Sequence, residues 1–310
     1  MKYKEWLNIW LMNYVRPTAK PKTYDSYKHI VEKHISKKLG DKDLNEITPI
    51  LLQSFLTELL QSGNLLTGGG LSTSTVNLII TVVQNSLKSA FICGEIKEYL
   101  ANRVKRPKLR QKDISCFNLI EQRKIEQAIL TGKNEKMLGI VLCLYTGLRI
   151  GELLALTWAD LDLSKGIITV NKTCHDGKVG DKHFGRITNE PKTESSKRKI
   201  PIPKQLILIL REKKKDKESR YVIEGNGKPL TIRSYQRSFE SLLKKLQIEH
   251  KGFHSLRHTF ATRALETGMD VKALAEILGH KNAAITLNRY VHSLMEHKQE
   301  MMNRLGKMLI

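Results

Sequence analysis

Four short stretches of the sequence combine side chains that could act on a phosphate group. The first, TGLRIGE, contains Arg149 next to a predicted helix start and Glu152 three residues later. Free backbone N–H groups at a helix start favour a bound anion, and Glu152 can reach back to hold the guanidinium of Arg149. A pair of this kind is also common on protein surfaces, where it has no function.

The second stretch, PKTESSKR, runs from Pro191 to Arg198 between two segments with strand-like composition. Polar turn residues between two strands predict a β-hairpin, from which Lys192 would project. A lysine in such a place can simply be solvated. Held against a phosphate, Lys192 can instead donate a proton to a leaving oxygen.

The third stretch, HSLRHTFAT, places His254, Arg257 and His258 on one side of a predicted helix. Two histidines four residues apart suggest zinc. However, Ser255 stands where an H-E-x-x-H metalloprotease has its glutamate, and no carboxylate third ligand is evident. We therefore predict no metal, because Arg257 beside a histidine is better suited to bind a phosphate through charge-assisted hydrogen bonds.

The fourth stretch contains His280, in the sequence LGH, and Tyr290 ten residues later. Asp270 is predicted to cap a helix that Gly279 ends, and Asn282 is predicted to cap the next helix, which carries Tyr290. By itself this stretch also fits a helix-turn-helix in which Tyr290 is a partly buried packing residue.

The four stretches together supply a complete set of groups for phosphoryl transfer. Two arginines can balance the charge of a phosphodiester and of its transition state, two histidines can donate hydrogen bonds, a lysine can protonate the leaving oxygen and a tyrosine can attack. The set is Arg149, Lys192, His254, Arg257, His280 and Tyr290. This chemistry needs no metal or other cofactor. The chain also lacks a G-x-x-x-x-G-K-[ST] loop and an evident cluster of Asp and Glu, which argues against ATP use and two-metal nuclease chemistry.

The composition indicates a polyanionic partner. Lys and Arg number 53 and Asp and Glu 31, which gives a formal charge of +22 in 310 residues. An excess of this size is usually neutralised by nucleic acid phosphates or an anionic membrane surface. An aromatic content of 6% favours a duplex over a single strand, because single-strand binding depends on exposed rings for stacking.

Several other classes of protein are excluded by the sequence pattern. No stretch approaches the roughly 18 consecutive apolar residues that a membrane span needs, and the N-terminus lacks the apolar run of a secretory signal. The four cysteines include no C-x-x-C pair, so neither a zinc ribbon nor a disulfide framework fits. We expect a cytoplasmic protein with reduced thiols.

The pattern of apolar residues predicts two domains joined by a basic linker. Residues 1–103 show helical periodicity and should form an all-α domain of four or five helices. Residues 104–113 form the predicted linker, and residues 114–310 the second domain, in which strand-like segments near residues 167–203 interrupt helices. The expected fold class is therefore mainly α with a small β-sheet, an all-α domain followed by a mixed α/β domain.

The linker region is rich in basic residues and contains Pro107, so it should be extended. Such a segment can be a solvated connector or a strap along a phosphate backbone. Its basic side chains are candidate DNA contacts, though base readout cannot be told from phosphate contact. The candidates are Arg103, Lys105, Arg106, Lys108 and Arg110.

The four stretches, in their order along the chain, resemble the motifs of the tyrosine recombinases, the integrase family of phages, conjugative transposons and chromosome-dimer resolution systems. TGLRIGELLAL, HSLRHTFAT and LGHKNAAITLNRY resemble the family's three boxes, and PKTESSKR resembles its hairpin lysine box. The N-terminal helices resemble the family's core-binding domain, which forms a clamp around duplex DNA with the tyrosine-recombinase catalytic domain. Many members carry an arm-binding domain ahead of it, so here the architecture is simpler or the sequence starts late.

The resemblance implies a role for each residue of the set. Arg149 and Arg257 would clamp the phosphate, Lys192 would be the general acid to the 5′ oxygen and Tyr290 would be the nucleophile. Attack by Tyr290 would give a 3′-phosphotyrosyl link and a free 5′-hydroxyl, without a cofactor. Two rounds of attack by partner strands would exchange both strand pairs through a Holliday junction.

The remaining matched positions support this chemistry. His254 and His280 match the family's two histidine-type positions, Glu152 matches the acidic residue that supports the first box, and His258 matches a common supporting histidine. The C-terminal stretch 294–310 resembles the terminal helix that docks on a neighbouring protomer, although it could equally pack on its own domain.

The implied partners are double-stranded DNA with paired recombination sites and three further copies of the chain, which form a homotetramer on that DNA in the cytoplasm of a bacterial host. A directionality factor or a DNA-bending protein would be an additional partner. Two alternatives stay open from the sequence. One is a type IB topoisomerase-like activity, and the other is a non-catalytic, sequence-specific DNA-binding regulator. The target sequence and the balance of integration and excision are not determined by these motifs.

Overall fold

The structure is a computed structural model of the 310-residue chain. It describes residues 1–109, 115–132, 134–179, 183–189, 197–215, 219–225, 227–280, 282–290, 299, 302–303 and 305–307. The chain divides into two compact units, Met1–Lys112 and Asp113–Ile310. The domain bounds expected from the sequence, 1–103, 104–113 and 114–310, stay a prediction.

The regular secondary structure described in the first unit is helical, apart from an isolated β-bridge between Lys2 and Asp43. Two of its helices pass through a π-helical turn, Leu11–Val15 and Val31–Ile35, and continue as α-helix. Short 3₁₀ helices form at Leu44–Glu46 and Ala101–Arg103. The α-helices are α1 Tyr3–Trp10, α2 Arg16–Thr18, α3 Pro21–Ile30, α4 Ser36–Leu39, α5 Pro49–Ser62 and α6 Thr73–Ile92.

The apolar faces of these helices share one core, and side chains cap the starts of α5 and α6. Thr48 accepts the N–H of Leu51 at the start of α5, and Ser72 accepts the N–H of Thr75 at the start of α6. Ser86 of α6 is fully buried, and its hydroxyl lies 2.6 Å from the hydroxyl of Tyr3. This bond satisfies two buried polar groups and joins α1 to α6.

The first half of the predicted linker packs against the first unit instead of extending into solvent. The backbone N–H of Lys105 donates to Gln53 on α5 (3.0 Å), and the carbonyl of Pro107 accepts from Asn77 on α6 (3.0 Å). Arg106 donates to Thr81 (3.1 Å). The side chains of Arg103, Lys105, Arg106 and Lys108 are exposed, whereas Arg110 lies outside the described residues.

The second unit is mainly helical around a small amount of sheet. Its 3₁₀ helices are Glu135–Met137 and Trp158–Asp160. Its α-helices are α7 Leu119–Leu130, α8 Leu138–Thr146, α9 Ile150–Ala155, α10 Lys204–Lys215, α11 Ile232–Lys245, α12 His254–Glu266, α13 Val271–Leu278 and α14 Ala283–Tyr290. The fold class predicted from the sequence, mainly α with a small sheet, is confirmed.

The strands that the structure describes form two separate antiparallel sheets. One has the order β1-β2-β5, and the other is the hairpin β3-β4. The strands are β1 Leu161–Asp162, β2 Ile167–Val170, β3 Thr173–Val179, β4 His183–Asn189 and β5 Arg198–Pro201.

The β-hairpin predicted around Lys192 is wrong, because the two strands that flank this stretch do not pair with each other. The strands on either side of residues 190–196 are β4 and β5, and β4 pairs with β3 whereas β5 pairs with β2. Composition identified the strand segments, but pairing depends on contacts with β2 and β3 that composition does not contain. Lys192 itself lies outside the described residues.

Helix α8 forms the centre of the second core. It is apolar on all sides and almost wholly buried among α7, α9, α11 and α12. It ends at Gly147, whose φ of +65° is left-handed. A Cβ at this position would lie 2.6 Å from Phe260 and 2.8 Å from Leu278, so only glycine allows α12 and α13 to approach this turn.

Candidate active site

Glu152 lies at the centre of a buried ion-pair cluster at the start of α9. Its side chain is only 5% exposed. Oε2 accepts the backbone N–H of Arg149 (2.9 Å), and Oε1 accepts Nη1 of Arg149 (2.7 Å). Arg198 donates from Nη1 to Oε1 (3.1 Å) and from Nη2 to Oε2 (2.8 Å). The predicted contact between Glu152 and Arg149 is confirmed, and Glu152 also binds a second arginine.

This cluster keeps Glu152 ionised. Burial raises the pKa of the carboxyl, but the hydrogen bonds and charge of Arg198, together with those of Arg149, outweigh burial and lower the pKa to about 2. Because carboxylate and guanidinium groups are charged throughout the physiological range, the cluster holds one fixed geometry.

Replacement of Glu152 by glutamine should lower stability in a pH-dependent manner. The folded-state pKa of about 2 lies below the ordinary 4.5, so ionised Glu152 stabilises the fold above pH 4.5, and this stabilisation disappears as the pH falls towards 2. We expect Glu152→Gln to lower the free energy of unfolding at pH 7 by about 3 kcal/mol, and the difference from wild type to shrink at pH 3.5. Urea unfolding of both proteins at each pH measures this difference. A pH-independent difference would contradict the assignment.

Arg257 is buried inside the second unit and held by backbone carbonyls. Its side chain is 2% exposed. Nη1 donates to the carbonyl of Gly147 (2.8 Å), and Nη2 donates to the carbonyl of Leu278 (2.6 Å). Leu278 is the last residue of α13 and Gly147 directly follows α8, so both carbonyls lie at helix C-terminal ends, where the helix dipole favours a cation. The fold therefore fixes the position of this guanidinium from two sides.

Arg149 contacts the same end of α13. Its Nη2 donates to the carbonyl of Gly279 (3.2 Å), the residue after the acceptor of Arg257. Arg149 is 36% exposed, whereas Arg257 is buried. The turn at Gly279, with a φ of +63°, thus orients the two arginines that the sequence predicted to act together.

His280 follows this turn and contacts both Arg257 and α14. Its Nε2 lies 3.0 Å from Nη2 of Arg257, and its Nδ1 lies 2.7 Å from the hydroxyl of the fully buried Thr286. A guanidinium only donates hydrogen bonds, so Nε2 is the acceptor and Nδ1 carries the proton. The donor role predicted for His280 therefore requires a second proton, on Nε2.

His254 and His258 lie at the start of α12. Their rings meet edge to face, with centroids 4.6 Å apart. His254, the first residue of the helix, is exposed, and His258 is half-buried. The predicted placement of these rings on one side of the helix is confirmed, and the exposed ring of His254 is one helical turn from Arg257.

The predicted nucleophile Tyr290 and the predicted general acid Lys192 are not fully described by the structure. Helix α14 begins after Asn282, which accepts the N–H of Ala284 as its predicted cap (2.9 Å), and ends at Tyr290. The side chain of Tyr290 and all of Lys192 lie outside the described residues. Most of the predicted C-terminal helix, residues 294–310, also lies outside them.

Sequence reasoning missed two residues of this site, Arg198 and Thr286. Arg198 is the last residue of the PKTESSKR stretch and the first of β5, and its side chain is 6% exposed. A basic residue directly before an apolar strand was the available signal, but its partner Glu152 lies 46 residues earlier. In the sequence, Thr286 is a single small residue on α14, and no pattern there marks it as the partner of His280.

Neither a metal centre nor a membrane span is found where the structure is described. No three His, Cys, Asp or Glu side chains among those residues are grouped to hold a metal ion. Over the same residues, no helix combines the length and the apolar character needed to cross a membrane.

Comparison with protein families gives two matches that together cover most of the chain. The model of the "Phage integrase family" matches residues 119–297. The model of the "Phage integrase, N-terminal SAM-like domain" matches residues 2–60.

Individual relatives align over nearly the whole chain. A "Tyrosine recombinase XerC-like" protein of Caldanaerobacter subterraneus is 29% identical, with 98% of this chain and 82% of the relative aligned. The ICEBs1 integrase of Bacillus subtilis is 26% identical, with 94% and 79% aligned. Among solved structures, the Tn1549 transposon integrase in complex with a circular intermediate DNA has a TM-score of 0.80 at 24% identity, over 98% of this chain and 99% of that one. A lambda integrase dimer bound to a core site has a TM-score of 0.73 at 20% identity, over 93% and 95%.

Proposed function

Because this chain belongs to the phage integrase family and is a tyrosine recombinase, we propose that it recombines duplex DNA through a covalent link to Tyr290. The topoisomerase-like and regulatory alternatives are not favoured, since the relatives are named recombinases, integrases and transposases. The observation that carries the proposal is the convergence of Arg149 and Arg257 on consecutive carbonyls at the end of α13.

In this proposal the two arginines bind the scissile phosphate. Their guanidinium groups are oriented by the carbonyls of Gly279 and Leu278 before any substrate arrives, so little reorganisation is needed when negative charge develops. Glu152 keeps Arg149 in place without neutralising the site, because Glu152 is shared between two arginines. His254 would donate to a remaining phosphate oxygen, with His258 supporting His254. His280 would donate from Nε2 once this nitrogen carries a proton and faces the phosphate in place of Arg257.

In the proposed covalent step, the hydroxyl of Tyr290 releases its proton to solvent as its oxygen attacks phosphorus, and the bond from phosphorus to the 5′ oxygen breaks. Lys192 gives a proton to that oxygen, which leaves as a 5′-hydroxyl, and the 3′ strand stays on the tyrosine. The 5′-hydroxyl of a partner strand then attacks the phosphotyrosine and returns a proton to Lys192, and Tyr290 leaves and takes up a proton from solvent. The number of phosphodiester bonds is unchanged, so no ATP is required.

The partners in this proposal are duplex DNA with paired sites and further copies of the chain. The formal charge of +22 suits a polyanionic partner. The proposed phosphate contacts in the first unit are the exposed side chains of Arg103, Lys105, Arg106 and Lys108. A lambda integrase tetramer bound to a Holliday junction covers 91% of this chain with a TM-score of 0.69. We propose a tetramer of this chain on its DNA, acting in the bacterial cytoplasm.

The proposal is tested with nicked duplexes tiled across the DNA that flanks the gene. A short 5′ fragment diffuses away after cleavage, so the covalent intermediate accumulates. We expect a protein–DNA band on a denaturing gel with one duplex, and a 3′-linked nucleotide on the tryptic peptide that contains Tyr290. A 5′ linkage, or a link to another residue, would overturn the mechanism. Binding to every duplex without any covalent product would overturn the proposed function.

Thr286→Val should slow this cleavage by about tenfold. Valine keeps the volume of Thr286 but cannot accept from Nδ1 of His280, so a buried polar group loses its partner and the ring is less firmly held. Single-turnover cleavage of the reactive duplex measures the effect. Thr262→Val is the matched control, because the Thr262 hydroxyl contacts Cys116, and we expect it to stay within twofold of wild type. Equal rates for the two variants would argue against a role for the Thr286–His280 bond.

A further inference from the structure

We propose that Arg198 is a positioning residue for the reaction, one that acts through other groups and does not touch the substrate. The proposal rests on the proposed function. Arg198 joins three parts of the second unit, namely β5, the start of α9 and the end of α13. Its described hydrogen bonds connect two helix ends, the start of α9 and the end of α13. These two ends orient Arg149 and Arg257.

The first contact of Arg198 is with the start of α9. Its two terminal nitrogens face the two oxygens of Glu152 at 3.1 and 2.8 Å, the parallel arrangement that a planar guanidinium forms with a carboxylate. Both side chains are nearly buried, at 6% and 5% exposure. Glu152 in turn holds the backbone N–H and Nη1 of Arg149. The position of Arg149 therefore depends on a carboxylate that Arg198 anchors.

The second contact of Arg198 is with the end of α13. Nε donates to the carbonyl of Ile277 (2.5 Å). The carbonyl of Leu278 then accepts from Arg257, and the carbonyl of Gly279 accepts from Arg149. Three consecutive carbonyls thus bind three arginines. The C-terminal end of a helix carries partial negative charge, which makes it a suitable place for cations to converge.

The turn at Gly279 is shaped around Arg198. A Cβ at position 279 would lie 3.1 Å from both Cδ and Nη1 of Arg198, and the φ of +63° is left-handed. Glycine therefore meets two requirements at once, the turn and the close approach of the arginine. This packing adds to the hydrogen bond to Ile277 in fixing the carbonyls that follow.

The backbone of Arg198 is held in a strand, and its side-chain N–H groups donate to protein groups. It begins β5, where it pairs with Val170 of β2. Nε, Nη1 and Nη2 each donate to an acceptor of the protein, Ile277 or Glu152. The described hydrogen bonds of Arg198 are thus directed at Glu152 and at the end of α13, which suits this side chain to hold those two groups in place.

The main test compares single-turnover cleavage by Arg198→Met, Arg198→Lys and wild type on the reactive nicked duplex at saturating protein. Small displacements of catalytic groups cost about 100-fold in rate, so we expect about that loss for Arg198→Met. Lysine keeps the charge but not the planar fork, so we expect about a tenfold loss for Arg198→Lys. Duplex affinity should stay within threefold in both variants. Arg186→Met is the matched control, because Arg186 bonds the carbonyl of Leu154 rather than Glu152.

A second test asks whether Arg198 acts through Glu152. Without the guanidinium that does most to lower it, the pKa of Glu152 should rise, so the rate of Arg198→Met relative to wild type should fall further between pH 8 and pH 5. The ratio for the control Arg186→Met should not change with pH. In the background of Glu152→Gln, adding Arg198→Met should slow cleavage by less than threefold, since the connection is already broken.

The outcomes separate this inference from the function on which it rests. Wild-type cleavage with an unimpaired Arg198→Met would overturn the role of Arg198 alone. Losses that multiply in the double variant would show that Arg198 does not act through Glu152. If Arg198→Met fails to fold, the same criteria apply to Arg198→Lys. Absence of covalent product from wild type would overturn the proposed function and this role with it.

Discussion

Tyr290→Phe is expected to form no covalent protein–DNA complex while it binds the same duplex with unchanged affinity. Phenylalanine lacks the hydroxyl that attacks phosphorus, and no other group in the proposed mechanism can replace it, so the rate of cleavage should fall by at least about 10⁴-fold. Binding depends on basic side chains that this substitution does not alter. The measurement is the covalent band from the reactive nicked duplex, beside a filter-binding curve for the same DNA.

The control for this substitution is Tyr221→Phe. Tyr221 lies in the same unit, and its ring packs 4.2 Å from the guanidinium carbon of Arg186, a contact that phenylalanine retains. We expect wild-type cleavage from this variant. A covalent band from Tyr290→Phe would identify a different nucleophile. Loss of duplex binding would instead mean that the substitution disturbs the fold around α14.

Arg257→Lys should give the second largest effect. Arg257 bonds the carbonyls of Gly147 and Leu278 and lies 3.0 Å from His280. A lysine ammonium is a single point, so it cannot span these acceptors as a planar guanidinium does. We expect the cleavage rate to fall by about 10²- to 10³-fold, as when one preorganised donor is removed. Stability should fall by about 1–3 kcal/mol, since a buried carbonyl loses its donor.

Arg263→Lys provides the comparison on the same helix. Arg263 also lies on α12, where it pairs with Glu266 and donates to the carbonyl of Phe117 (3.1 Å). Neither partner belongs to the proposed site, and an ion pair of this kind contributes little, so we expect cleavage within about threefold of wild type. Single-turnover rates and urea unfolding of both variants separate chemistry from stability. Equal rate losses in the two variants would show that Arg257 is not special to the reaction.

The fold elements were predictable where a local signal determines them. Asp270 and Asn282 accept backbone N–H bonds from residues two or three positions later, and each was predicted as a cap. These interactions lie within one helical turn, so neighbouring residue types are sufficient to reveal them. For the same reason the pair of Arg149 and Glu152 could be predicted from its spacing of three.

The pairing of the strands could not be predicted from local signals in the sequence. The segments around β2, β4 and β5 are visible in the composition, but β4 and β5 follow each other along the chain and belong to different sheets. Pairing is decided by which strands cover which helices, and each alternative pairing satisfies the same backbone groups. The pairing expected for the strands that flank residues 190–196 was wrong for this reason.

The sequence by itself determined the chemical set and its order along the chain, because motif residues are recognised by type and spacing. The sequence did not determine which groups hold these side chains in position. Arg198 lies 46 residues from Glu152, and Arg257 lies 110 residues from Gly147, yet each pair is in contact. Backbone carbonyls carry no signature in the residue types around them. Only the packing of α8, α12 and α13 decides which carbonyls meet which guanidinium groups, and therefore how the site is oriented.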